Sequence, residues 1–157
     1  MQKSDLLWAL YLSEREFIQH HENQRTNASN ILAAISAGVM IALGTDKLSA
    51  EVSVMLSVLL IALGLFGWIF CAKLYALIKL HAERSYQYLD VLDQEVAAVQ
   101  IASLKQVASD RNNQKFRKLK NLGLNKIWAW FHQSILCAGV LFLGINGFSL
   151  MKSLSIL

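Results

Sequence analysis

Proline is absent from all 157 residues, cysteine occurs only twice, and charged residues make up just 17% of the chain. Without proline, no ring clash or missing N–H interrupts a helix, so long continuous helices are expected. The two cysteines, Cys71 and Cys137, both fall in apolar runs, so each reads as a small packed thiol and not as half of a disulfide. Low charge beside 55% hydrophobic residues and a mean hydropathy of +0.38 is too apolar for an ordinary soluble domain of this size.

What the chain does have is three stretches almost free of charge, over 26–45, 52–72 and 127–151. A helix rises about 1.5 Å per residue and the hydrocarbon core of a bilayer is roughly 30 Å thick, so about 20 apolar residues span it. The expected fold class is an all-α membrane protein. It has three transmembrane helices, at 26–45, 52–72 and 127–151, an amphipathic interfacial helix over 1–25 and a cytoplasmic helical hairpin over 73–126. The first 25 residues hold Asp5, Glu14, Glu16, Glu22 and two histidines where an export signal needs an apolar core, so a cleaved signal is not expected.

Lysine and arginine set the expected orientation. Three precede the first span and ten lie between the second and third, whereas the two opposite segments carry only Lys47 and Lys152. The positive-inside bias puts the N-terminus and the middle segment in the cytoplasm and the C-terminus outside. Any recognition then falls to residues 1–25 and 73–126, or to the membrane interior.

In the N-terminal arm, Leu7, Leu10, Glu14, Phe17, Ile18 and His21 recur at steps of three and four, and Trp8 and Tyr11 suit the headgroup level. This is a surface-lying helix, either a plain anchor or a docking arm. Arg25, Asn27 and Asn30 then make the first span unusually polar where it enters the membrane. Two readings stand: the groups snorkel to interfacial water, or they face other helices or an aqueous mouth. Ala34, Gly38 and Ala42 form a flat stripe that lets another helix approach closely, and Gly67 with Cys71 repeats the spacing in the second span. The spacing does not say whether the approaching helix belongs to this chain or to another copy.

The second span continues past Lys73 in helical rhythm and carries His81, Arg84, Asp90 and Asp93, the candidate contacts for a cytoplasmic partner or ligand. Leu89, Leu92, Val96 and Val99 trace a narrow heptad-like seam. A turn is expected over 109–114, followed by a basic arm to residue 126. Lys115, Arg117, Lys118 and Lys120, with Trp128 and Trp130, suit an anionic inner leaflet, so the lipid surface explains this arm better than a nucleic acid does.

Catalytic and metal signatures are sparse. His20, His21 and Glu22 are ligand types without a set to complete a site, so no metal and no cofactor are expected. His132 is the one titratable group inside the third span, close enough to the interface to be solvated there or to act as a buried functional group. Arg15 and His20 fit the R-x(4–6)-H pattern of HEPN ribonucleases, a two-residue match outside the soluble domain which that family uses. No nucleophile elbow or phosphate loop accompanies it, and the chain is not expected to be an enzyme.

The arm from Glu14-Arg15-Glu16-Phe17 to Gln24-Arg25, the two spans about the 45–51 turn, and the helical exit over 79–93 together resemble the small SLATT-like transmembrane effectors of bacterial anti-phage systems. The likeness covers roughly residues 5–95; the third span departs from the two-span pattern. The resemblance implies an inner-membrane effector that self-assembles and permeabilises or depolarises the membrane on a cytoplasmic cue, such as a nucleotide messenger or a protein. In that arrangement Arg25, Asn27 and Asn30 form the mouth of a ring of copies. The alternative is a non-conducting scaffold or regulatory subunit that recruits a cytoplasmic partner. A small transporter subunit is a weaker third reading, since the spans hold no buried charge pairs.

Overall fold

The computed structural model describes residues 2–45, 47–96, 100–115 and 123–154, with residues 153 and 154 described by main chain only. Among these residues all regular structure is helical: α1 (Lys3–Leu43), α2 (Ala50–Glu95), α3 (Ile101–Lys115) and α4 (Leu124–Leu154). Three of them, α1, α2 and α4, are long and apolar enough to cross a membrane. As the lack of proline permits, the N-terminal arm and first span are one helix of 41 residues, and the second span runs into its polar exit within one helix of 46.

Local chemistry sets the helix ends. Asp5 accepts the Gln2 backbone N–H at 3.0 Å, half of a capping box on α1. At its far end the Thr45 hydroxyl donates to the Ala42 carbonyl at 2.8 Å, and Gly44 N–H reaches the Met40 carbonyl at 3.0 Å. Ser49 caps α2, its Oγ accepting Val52 N–H at 3.4 Å. Backbone and Ser49 hydrogen bonds hold the Glu51 carboxyl below its ordinary pKa, as expected for an anion in a first helical turn.

The turn expected over 109–114 is absent, because those residues lie inside α3. The segment contains neither glycine nor proline, and side-chain bonds one turn apart support the helix, Gln106 to Asp110 at 3.1 Å and Asn113 to Ser109 at 3.4 Å. The chain breaks earlier, between Glu95 and Ile101. Gln100 adopts a left-handed φ of 49°, and the Asp93 carboxylate accepts the Ile101 N–H, capping α3 from eight residues upstream. Of the expected seam, Leu92 is buried, Leu89 half-buried, Val96 sits in the turn, and Val99 lies outside the described residues.

The described residues divide into two compact units. The first holds 1–24 and 73–124. In it the N-terminal part of α1 runs antiparallel to the later part of α2, pairing Lys3 with Glu95 and Glu14 with His81, with Ile18, Leu74 and Leu92 buried. The second unit holds 25–72 and 125–157 and contains the apolar lengths of α1, α2 and α4. Its polarity is inverted relative to a water-soluble core. Ser29, Ser36, Ser57 and His132 are at most 1% exposed, while Ile41, Met55, Phe66, Leu141 and Phe148 stand outward at 56% or more.

Candidate functional site

In the second unit, α2 and α4 approach so closely that only glycine fits at three points. A Cβ at Gly64 would stand 2.5 Å from the Leu136 nitrogen, one at Gly139 would stand 2.7 Å from the Ile61 nitrogen, and one at Gly67 would overlap the His132 ring. Gly67 therefore belongs to an intrachain seam, with Cys71, 2% exposed, one turn further on. Cys137 differs from the expected packed thiol: it is exposed, because it lies on the face of α4 turned away from this seam.

His132 is the centre of the unit and is fully buried. Its Nε2 lies 3.1 Å from Ser29 Oγ on α1, and Ser29 Oγ lies 3.5 Å from Cys71 Sγ on α2. One residue from each helix thus meets at a single point. The assignment that strands least is Nε2–H donating to Ser29 and the Ser29 hydroxyl donating to Cys71, which leaves Nδ1 as a bare lone pair against Gly67. A serine beside a histidine suggests nucleophilic chemistry, but no acidic group orients Nδ1 and both side chains are sealed from any substrate. The contact therefore fixes helix register and orientation.

A second polar contact lies near the opposite end of these spans. Ser57 donates to the Ser53 carbonyl at 2.7 Å and accepts from Asn146 Nδ2 at 3.3 Å. Four buried polar atoms in the described residues have no partner: Arg25 Nε, Ser36 Oγ, Trp128 Nε1 and His132 Nδ1. All belong to α1 or α4 in this unit.

The pore-mouth and interface candidates divide between two faces of α1. At about 100° per residue, Asn27, Asn30, Ala34 and Gly38 fall on one arc, and all four are exposed. Arg25, 4% exposed, lies on the opposite arc with Ser29 and Ser36. It therefore does not meet Asn27 and Asn30, and half-buried Ala42 sits at the edge of the outward arc. A Cβ at Gly38 would touch nothing within 4 Å among the described residues.

In the first unit, two of the four partner-contact candidates have internal roles. His81 bonds Glu14 through Nδ1 and stacks on Phe17 with ring centroids 5.0 Å apart, and Asp93 caps α3. Arg84 and Asp90 are exposed. Trp8 stacks on Tyr11 at 5.2 Å, Lys105 sits 3.6 Å over the Tyr86 ring, and these residues with Arg15 line an open groove of about 480 Å³. Arg15 and His20, five residues apart on one helix, point about 140° away from each other. His21 bonds Gln24 at 3.2 Å and lies 5.4 Å from the His81 ring; no three metal-ligand side chains gather among the described residues.

Of the membrane-surface candidates, Lys115 and Trp130 are exposed, and Trp128 is half-buried with its Nε1 turned inward. Arg117, Lys118 and Lys120 lie outside the described residues. Ser36, Ser57, Asn146, Gly64 and Gly139 did not stand out in the sequence, although Ser53 and Ser57, and Gly64 and Gly67, carry the one-turn spacing of a shared face. No protein-family model matches the chain, and neither the curated proteins nor the solved structures gave a significant match.

Proposed function

We propose that this chain is a three-span integral membrane protein, N-terminus in the cytoplasm and C-terminus outside, whose copies associate through the outward face of α1. On a cytoplasmic cue that assembly permeabilises or depolarises the bacterial inner membrane, the role implied by the resemblance to SLATT-like defence effectors. The observation that carries the reading is the exposed arc of Asn27, Asn30, Ala34 and Gly38. Small residues permit backbone approach between helices in lipid, and amides facing a nonpolar medium gain by bonding across a helix interface. The inverted polarity of the second unit supports the lipid setting, because apolar side chains outside and serines inside suit hydrocarbon better than water. A buried arginine and histidine exceed what a passive anchor requires.

The test uses the purified full chain in detergent and in dye-loaded liposomes. Ala34→Leu with Gly38→Leu should lower both oligomer mass and leakage while leaving thermal stability near that of the parent protein. A monomeric parent protein that never releases dye, under any cytoplasmic extract, overturns the proposal.

The aromatic and cationic groove of Trp8, Tyr11, Tyr86, Arg15 and Lys105 favours a second reading, a non-conducting scaffold that recruits a cytoplasmic partner through the first unit. On that reading the α1 double substitution leaves partner binding intact, and Tyr86→Ala abolishes it.

A further inference from the structure

Arg25 is the most deeply buried lysine or arginine among the described residues, at 4% exposed, and neither the Lys3–Glu95 ion pair nor the His81–Glu14 contact includes it. A guanidinium with so little access to water and no anion beside it is disfavoured. Its Nε lacks a partner, and so does Trp128 Nε1. Both groups only donate, so what each lacks is an acceptor.

The two donors share a level and a side. In the second unit α1 and α4 are each antiparallel to α2: α1 through the short 44–49 connection, and α4 through the successive contacts of Gly67 with His132, Gly64 with Leu136, and Gly139 with Ile61. Hence α1 and α4 run in the same direction, and Ser29 meets His132. One turn back along each helix, on the same faces, stand Arg25 and Trp128.

We infer that Arg25 and Trp128 hold the phosphate group of one anionic phospholipid between α1 and α4. The inference rests on the membrane reading above, which places both residues where the spans meet the inner leaflet. The planar guanidinium matches the geometry of phosphate oxygens, and an indole N–H at headgroup depth supplies a further donor. Exposed Lys126, two residues before Trp128, adds local positive potential. A water molecule would satisfy the indole, but it leaves the arginine charge uncompensated.

Native mass spectrometry of the full chain, purified in mild detergent and delipidated, reads the site directly during titration with short-chain phosphatidylglycerol and, separately, with inorganic phosphate. The parent protein should bind one phosphatidylglycerol per chain, and Arg25→Gln should bind it about tenfold more weakly, the loss of a charged hydrogen-bonding pair. Lys47→Gln, at the other end of the spans, should stay close to the parent. Trp128→Phe keeps an aromatic ring and removes only the donor, so a few-fold loss there decides the matter if Arg25→Gln fails to fold. Binding of inorganic phosphate alone, or lipid affinity unchanged in both Arg25→Gln and Trp128→Phe, overturns the inference and leaves the three-span reading standing. A chain that stays monodisperse in water without detergent removes the three-span reading itself.

Discussion

Nε2 of His132 lies 3.1 Å from the hydroxyl of Ser29, a contact between residues 103 positions apart, both sealed from solvent. Deleting one partner strands the other in a medium that offers no replacement. Ser29→Ala should therefore destabilise the chain by about 1–3 kcal/mol. His132→Leu combined with Ser29→Ala should recover part of that loss, since an apolar pair strands nothing. Thermal unfolding in detergent measures both, and a double variant no more stable than Ser29→Ala would contradict the pairing.

Three glycines and a fourth should respond oppositely to the same methyl group. Alanine at Gly64 or Gly67 drives a Cβ into Leu136 or the His132 ring, and relief requires α2 and α4 to separate. The expected cost is about 1–3 kcal/mol, with Gly139→Ala similar. Gly38→Ala meets open space and gains helix propensity, so its melting temperature should hold or rise. Equal destabilisation at Gly38 and Gly67 would show the seam to be misplaced.

Glu14 and His81 tie the N-terminal part of α1 to the later part of α2, with side chains 12% and 13% exposed. Glu14→Ala removes one partner of a largely desolvated pair that also seats Phe17. A loss of about 1–2 kcal/mol is expected, confined to the first unit. Amide exchange should accelerate across residues 10–21 and remain slow across 28–40.

Acid should loosen the start of α2 through Glu51, which precedes the expected span. Its carboxyl in the folded chain titrates below the ordinary value of 4.5 because the charged form accepts backbone and Ser49 hydrogen bonds. A depressed folded value means the contribution is complete above pH 4.5 and fades as pH falls through the folded pKa. Side-chain carboxyl shifts followed by NMR should place the Glu51 midpoint below 4.5, and Ser49→Ala should move it up toward that value. The same substitution should cost about 1 kcal/mol in capping.

The apolar lengths and the missing proline made α1, α2 and α4 legible in the sequence, including the passage of α1 and α2 through their polar ends. Helix breaks were less legible. Ser109 to Gln114 has turn-like composition yet is helical, because one-turn side-chain bonds satisfy its polar groups locally. The break before Ile101 falls beside apolar, helix-favouring residues and relies on a cap from Asp93 that only the folded backbone creates. The small-residue spacing was visible at Gly38 and at Gly67 alike, but their opposite surroundings were not.

Composition by itself determined that this chain forms long helices able to cross a bilayer, because backbone groups deprived of water must bond within their own segment whatever the neighbours are. Which face of each helix turns inward was left to the assembled bundle. Arg25 and Asn27 sit two positions apart and look equivalent in a list of polar residues, yet one is buried and the other exposed. That division arises where three helices meet at Ser29, Cys71 and His132, and an interaction among residues about 40 to 100 positions apart has no counterpart in local spacing.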